Sequence, residues 1–92
     1  MKIEELFAII LDRKKNPQEG SYTNYLLDNQ EDKILKKVGE EAVEVILAAK
    51  GQGKQRIVEE VSDLAYHTLV LLAAYDITLE EIGGELQKRH RK

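Results

Sequence analysis

Two long segments with the periodicity of an α-helix, each apolar over most of its circumference, constrain the fold of this sequence more than any other feature. The first covers residues 31–50 and the second residues 54–75, with the short flexible connection 51–53 between them. A helix that is apolar on all sides is normally buried, yet 92 residues provide too little chain to enclose two such helices. We therefore predict an all-α bundle of four to five helices, a single domain over residues 1–92, that is completed by homodimerisation.

Shorter helical segments flank this pair. The apolar spacing of residues 3–11 predicts a first helix that ends before Pro17. Ser21 or Thr23 is expected to cap a short second helix, and the capping box at residues 78–81 is expected to begin a last helix, whose basic end should fray.

Composition limits the classes of function. The chain carries 17 acidic and 14 basic side chains, a formal net charge of −3 and no cysteine. The lack of cysteine excludes disulfides, thiolate zinc sites and cysteine nucleophiles, and the mild acidity argues against a general nucleic-acid binder. No apolar run approaches the ~20 residues that span a bilayer, and the acidic N-terminal sequence lacks the pattern of a secretory signal. We expect a cytoplasmic protein with no nucleic-acid or membrane partner.

Carboxylates inside the apolar arcs of the long helices carry the first functional signal. At about 100° per residue, Glu41 and Glu44 lie about 60° apart within the apolar arc of the first long helix. Glu60 and Asp63 repeat this arrangement on the second. A carboxylate in apolar surroundings neutralises or finds a partner, and carboxylates inside helix bundles suit a divalent cation such as Mg²⁺. One such pair would indicate a solvated acidic face stabilised by lysines, whereas two pairs on adjacent helices favour a metal site.

The residues around these acids resemble a known family. Residues 37–46 and 60–67 contain Glu-Glu-x-x-Glu followed by Glu-x-x-Asp, the signature of the all-α NTP pyrophosphohydrolase superfamily that includes MazG and the dimeric dUTPases. Three further stretches, at residues 21–23, 32–37 and 66–72, make the chain similar to the phosphoribosyl-ATP pyrophosphohydrolase family. The resemblance covers nearly the whole chain.

This resemblance implies a reaction, a cofactor and partners. It implies a MazG-like bundle that hydrolyses phosphoribosyl-ATP to phosphoribosyl-AMP and pyrophosphate, the second step of L-histidine biosynthesis. It also implies dependence on Mg²⁺ and an obligate homodimer whose two chains frame each site. It leaves open a functional association with phosphoribosyl-AMP cyclohydrolase. By motif position, the metal ligands carry over to Glu41, Glu44, Glu60 and Asp63, and Glu40 joins them as a catalytic residue.

A magnesium-activated water is the expected nucleophile, because the chain has no thiol and its hydroxyls lack an evident activating base. The sequence does not identify the general base, for which Glu40, Glu44 and Glu60 are the candidates. The alternative for each basic residue near the site is a solvated charge, and for a serine it is plain helix capping. The phosphates are expected to be bound by Arg13, Ser21, Lys33, Lys36 and Lys37.

His67 and two tyrosines complete the candidate residues. His67 follows Asp63 by about one helical turn, so it is expected to bond either a ligand carboxylate or a backbone group within the core. Tyr22 or Tyr25 offers a ring for stacking on adenine, and the alternative is a tyrosine at an interface.

Two other functions compete with this hypothesis. A housecleaning pyrophosphohydrolase for modified NTPs would share the carboxylate signature, but residues 21–23 and 66–67 argue against it. A non-catalytic helical dimerisation module would show no dependence on magnesium.

Overall fold

Five α-helices and one π-helical turn make up the structure, a computed structural model that describes residues 1–90 and, at residues 30 and 31, the backbone alone. The elements in chain order are α1 (Ile3–Lys15), α2 (Tyr22–Asp28), the π-helical turn Gln30–Ile34, α3 (Leu35–Gly51), α4 (Lys54–Ala74) and α5 (Leu79–His90). Residues 1–90 contain no β-strand. The predicted all-α class with five helices is confirmed.

α3 and α4 form a helical hairpin, whose packing interface is the most extensive in the described chain. Only Gln52 and Gly53 separate the two helices. Gly53 adopts φ = +88°, a conformation that glycine reaches without steric cost. Gln52 donates its backbone N–H to the carbonyl of Ala48 at 3.0 Å. The tight connection places the acidic residues within 40–44 of α3 opposite those within 59–63 of α4.

The hydrophobic core lies where α1, α2 and the π-helical turn pack against the C-terminal half of α4. Its largest fully buried side chains are Ile10, Leu26, Ile34 and Val70, one from each of these four elements. The core therefore fixes how α2 crosses α4, and that crossing positions the candidate site.

Side-chain hydrogen bonds fix the starts of the short helices. Ser21 accepts the backbone N–H of Asn24 at 3.2 Å, so Ser21 is the cap of α2. Glu81 Oε1 accepts the N–H of Thr78 at 3.0 Å and Thr78 Oγ1 accepts the N–H of Glu81 at 3.1 Å, which confirms the capping box. α5 stays helical to His90. The last two residues of the basic tail, where fraying was expected, lie outside the described residues.

The start of α3 differs from the sequence-based boundary. The periodicity predicts an α-helix from residue 31, whereas the structure has the π-helical turn Gln30–Ile34 and begins α3 at Leu35. A π-helical turn shifts the register of the side chains by inserting extra backbone per turn. The 3.6-residue pattern does not reveal such an insertion, because it only marks which residues are apolar.

Both helices of the hairpin carry exposed apolar residues. Five of these residues are between 46% and 59% exposed: Val43, Ile46, Leu47, Val58 and Val61. Within one chain, the two long helices are therefore not buried on all sides, although their composition predicts burial. None of the helices within residues 1–90 combines the length and hydropathy that crossing a membrane requires.

Candidate active site

Three acidic side chains of the hairpin converge, Glu41 from α3 and Glu60 and Asp63 from α4. A carboxylate oxygen of each lies within 4.8 Å of those of the other two. Glu60 and Asp63 are three residues apart and so share one face of α4, which the hairpin turns toward α3. Glu60 is buried, Glu41 is half-buried and Asp63 is exposed, so the cluster is open to solvent on one side. We call these three residues the carboxylate cluster.

Glu41 carries the clearest electrostatic signature of the carboxylate cluster. Burial raises the pKa of its carboxyl above the ordinary value of 4.5, and the negative charges of Asp63 and Glu60 raise this pKa further. The positive charge of Lys37 opposes the increase. Carboxylates held this close together favour a positively charged ligand, either a proton or a metal ion.

The carboxylate cluster fits magnesium. Its oxygens are the hard ligands that Mg²⁺ prefers. One oxygen from each carboxylate lies within 4.8 Å of the other two, so these three residues could hold one divalent cation. The exposure of Asp63 leaves an open side for waters and phosphate oxygens.

Arg56 on α4 binds a member of the carboxylate cluster, and the sequence analysis missed it. Its Nη2 donates to Oε1 of Glu60 at 2.6 Å, and its Nη1 donates to Glu59. These hydrogen bonds raise the pKa of Arg56, and the bond from Arg56 lowers the pKa of Glu59. The signal was present, because Arg56 precedes Glu60 by four residues, the spacing of helical ion pairs.

Glu40 and Glu44, the other glutamates of the motif, are not among the carboxylates that converge in the described chain. Glu40 is exposed, and its carboxylate lies 3.9 Å from the ammonium group of Lys37. Glu44 is half-buried on α3, about one turn beyond Glu41. Of the four predicted metal ligands, the structure brings together Glu41, Glu60 and Asp63.

A cavity of about 250 Å³ adjoins the carboxylate cluster, and we call it the lysine pocket. Its lining consists of Tyr22, Tyr25, Leu26, Lys33, Lys36, Lys37 and Glu40. Lys37 precedes Glu41 by one helical turn, and its positive charge lowers the pKa of Glu41. Lys37 therefore lies close to both the pocket and the carboxylate cluster. Three predicted phosphate-binding residues therefore meet both tyrosines that were candidates for stacking on adenine.

The other two predicted phosphate-binding residues are engaged elsewhere in the described chain. The guanidinium of Arg13 lies 3.2 Å from the carboxylate of Asp12. The hydroxyl of Ser21 caps α2 through the N–H of Asn24. Neither side chain lines the lysine pocket.

His67 bonds a backbone group, the second of its two predicted roles. Its Nδ1 lies 2.7 Å from the carbonyl oxygen of Asp63, and its Nε2 lies 3.0 Å from the hydroxyl of Tyr22. The buried ring packs edge-to-face against Tyr22 and Tyr66, with centroid separations of 5.8 and 5.0 Å. Tyr22 also lies nearly parallel to Tyr25, with their centroids 6.2 Å apart.

The hairpin places Glu41 of Glu-Glu-x-x-Glu beside Glu60 and Asp63 of Glu-x-x-Asp, next to a pocket lined by three lysines, which agrees with the class of all-α nucleotide pyrophosphohydrolases that the motifs indicate. The sequence model of the phosphoribosyl-ATP pyrophosphohydrolase family matches residues 3–90. The chain belongs to this family, as its motifs predicted.

Curated relatives agree with the family. The phosphoribosyl-ATP pyrophosphatase of Clostridium acetobutylicum is 56% identical over 90 residues, which cover 98% of this chain and 82% of the relative. The protein of the same name from Listeria monocytogenes serovar 1/2a is 59% identical over 98% of this chain and 86% of its own length. A histidine biosynthesis bifunctional protein HisIE from Caldanaerobacter subterraneus is 56% identical over 98% of this chain but only 44% of its own length.

Proposed function

We propose that this chain hydrolyses phosphoribosyl-ATP to phosphoribosyl-AMP and pyrophosphate, a step of histidine biosynthesis. The observation that carries the proposal is the convergence of Glu41, Glu60 and Asp63 within 4.8 Å beside the lysine pocket, in a chain of this family. Relatives that are 56% and 59% identical are named for this reaction. Family membership also argues against a non-catalytic dimerisation module.

We propose Mg²⁺ as the cofactor, held by the carboxylate cluster. Glu44 is the fourth ligand by motif position, and its place on the turn of α3 after Glu41 supports this assignment. When bound, magnesium would neutralise phosphate oxygens and make a water more acidic.

The side chains around the cluster bind the substrate and accept a proton. Lys33, Lys36 and Lys37 offer three ammonium groups to the triphosphate at the wall of one pocket. Glu40 is exposed and lies outside the carboxylate cluster, which supports it as the group that takes the proton of the attacking water. We assign the general base to Glu40, because Glu44 is assigned to the metal and Glu60 is already bonded to Arg56.

We also propose the homodimer. The exposed apolar residues of the hairpin support it, since apolar residues that are 46–59% exposed on two packed helices are typical of surfaces that another chain covers. A functional association with phosphoribosyl-AMP cyclohydrolase is a further proposal. The bifunctional histidine-biosynthesis relative, of which this chain matches 44%, supports it. The cytoplasmic location stays a prediction.

The test is the release of pyrophosphate by the purified chain. We expect turnover of phosphoribosyl-ATP with Mg²⁺, loss of turnover in EDTA, and recovery when excess Mg²⁺ is restored. A panel of canonical and modified NTPs serves as the comparison. Comparable turnover of these nucleotides without turnover of phosphoribosyl-ATP would overturn the proposal in favour of a housecleaning enzyme.

A further inference from the structure

Two neighbouring hydrogen bonds join residues 22 and 23 to residues 66 and 67, which lie far apart in the sequence. The hydroxyl of Tyr22 on α2 lies 3.0 Å from Nε2 of His67 on α4. The next residue, Thr23, shares a short hydrogen bond between its hydroxyl and that of Tyr66. Both pairs join the same two helices, and the four side chains come from residues 21–23 and 66–72, two of the stretches that make the chain similar to its family.

The hydrogen bonds of His67 show which group is the donor in its bond with Tyr22. Nδ1 of His67 lies 2.7 Å from the carbonyl oxygen of Asp63, and a carbonyl only accepts, so Nδ1 carries the hydrogen. In the neutral ring, Nε2 is then an acceptor, and the hydroxyl of Tyr22 is the donor. Burial raises the pKa of Tyr22, so its hydroxyl keeps this hydrogen at neutral pH.

The hydroxyl of Tyr22 bonds the interior of the protein, whereas the residue also lines an open pocket. Tyr22 is 45% exposed and lines the lysine pocket, while its hydroxyl bonds the buried side chain of His67. Its orientation is therefore set by α4, the helix that carries Glu60 and Asp63. The neighbouring ring of Tyr25, 47% exposed and nearly parallel at 6.2 Å, extends this aromatic surface.

We propose that His67 is a positioning residue, which holds the ring of Tyr22 in place as a wall of the lysine pocket. The ring face would then contact the purine of the nucleotide, and the contact would set where the phosphates lie relative to the cluster. This inference rests on the proposed function. It assigns to the Tyr22–His67 bond a role in substrate binding that the Thr23–Tyr66 bond lacks, because Tyr66 does not line the pocket in the described chain.

The test is a double-mutant cycle with a matched control. Tyr22→Phe removes only the donor, and His67→Asn keeps an amide near the Nδ1 position but has no atom at the Nε2 position. We expect each to raise KM for phosphoribosyl-ATP about three- to tenfold with kcat nearly unchanged, the effect of one lost hydrogen bond. The double variant should be no worse than either single variant. His67→Gln, which can place an acceptor near the Nε2 position, should recover part of the loss.

Tyr66→Phe is the control, because it removes the other hydroxyl bond between α2 and α4. We expect it to lower Tm as much as Tyr22→Phe does without raising KM. Additive effects in the double variant, an unchanged KM in both single variants, or an equal rise of KM in Tyr66→Phe would each overturn the inference.

A calorimetric titration with ATP in EDTA separates this inference from the proposed function. The same non-additive effect of the two substitutions should appear in the dissociation constant of ATP, a measurement that requires no turnover. If wild-type protein fails to hydrolyse phosphoribosyl-ATP yet the ATP titrations show the coupling, the proposed function fails and the positioning role stands. If turnover is normal and the titrations show no coupling, the positioning role fails alone.

Discussion

The charged form of Glu41 is destabilised, because its carboxyl is partly desolvated and lies close to the carboxylates of Asp63 and Glu60. Glu41→Gln removes one of these repelling charges while keeping the shape of the side chain. We expect pyrophosphate release to fall at least about 100-fold, while Tm in EDTA rises by a few degrees and the helical circular dichroism stays unchanged. The matched control is Glu59→Gln, whose Tm should fall slightly because the bond from Arg56 lowers the pKa of Glu59. Full activity of Glu41→Gln would remove Glu41 from the metal site.

The raised pKa of Glu41 also predicts how stability depends on pH. The folded chain keeps a proton on Glu41 at pH values where the unfolded chain, with a pKa near 4.5, has lost it. Folding therefore takes up a proton in the window above pH 4.5, and the contribution of Glu41 to the free energy of unfolding falls as pH rises through this window. Urea titrations in EDTA between about pH 4 and 8 should show this decrease in wild type, relative to Glu41→Gln. Parallel curves for the two proteins would contradict the assignment.

Arg56 is a cation already bound to the carboxylate cluster, so it competes with a metal ion for Glu60. Arg56→Met removes the charge and keeps most of the aliphatic stem. We expect Mn²⁺, used as a probe of the magnesium site, to bind severalfold more tightly to this variant. Lys54→Met removes an exposed positive charge at the start of the same helix and should leave Mn²⁺ affinity nearly unchanged. Weaker binding by Arg56→Met would show instead that Arg56 holds Glu60 in its ligating position.

Helical periodicity was enough to predict that Glu41, Glu60 and Asp63 share a site, because it fixes which residues share a helix face. It also placed Glu44 on that face, yet the structure leaves Glu44 outside the carboxylate cluster. The bond from Tyr22 to His67 could not be predicted in this way. It depends on how α2 crosses α4, which the packing of the core decides and local spacing does not encode.

At the scale of elements, the junction between α1 and α2 depends on one buried polar residue. Pro17 has no N–H, so the carbonyl of Arg13 lacks the donor that would normally extend α1. Asn24 supplies it, since its Nδ2 donates to the Arg13 carbonyl at 2.8 Å and its Oδ1 accepts the N–H of Gln18 at 2.9 Å. The sequence predicted the end of α1 from Pro17. The partner of the unpaired carbonyl lies eleven residues away and is visible only in the fold.

Asn24→Ala tests this junction. It leaves two backbone groups without their partner, and we expect a loss of about 1–3 kcal/mol in the free energy of unfolding, with a lower Tm in thermal melts. Asn29→Ala is the control, because the amide of Asn29 bonds the carbonyl of Tyr25 at an exposed position. Equal Tm values for the two variants would contradict the role of Asn24.

At the scale of the whole molecule, the apolar circumference of the long helices predicts burial, whereas apolar residues of both helices are exposed in a single chain. Ile46 is 59% exposed on α3 and Val61 is 46% exposed on α4. The prediction of a dimer rests on this conflict. The sequence does not reveal which surface a second chain would cover, since that depends on which sides the rest of the same chain already occupies.

A charge at Ile46, the most exposed of these five apolar residues, should separate the two chains of the proposed dimer. We expect Ile46→Glu to be monomeric by sedimentation at concentrations where wild type is a dimer, because burying a carboxylate without a partner is costly. Ile9→Glu on α1, where the side chain is 43% exposed, is the matched control and should leave the oligomeric state unchanged. A dimer that persists in Ile46→Glu would place the interface elsewhere.

The same monomer distinguishes metal binding from catalysis. The carboxylate cluster is formed by one chain, so monomeric Ile46→Glu should still bind Mn²⁺ with nearly wild-type affinity. If helices of both chains frame each site, as the family implies, pyrophosphate release should nevertheless fall at least about tenfold. Retained activity in a monomer that binds Mn²⁺ would show that one chain contains the complete active site and that the dimer serves stability alone.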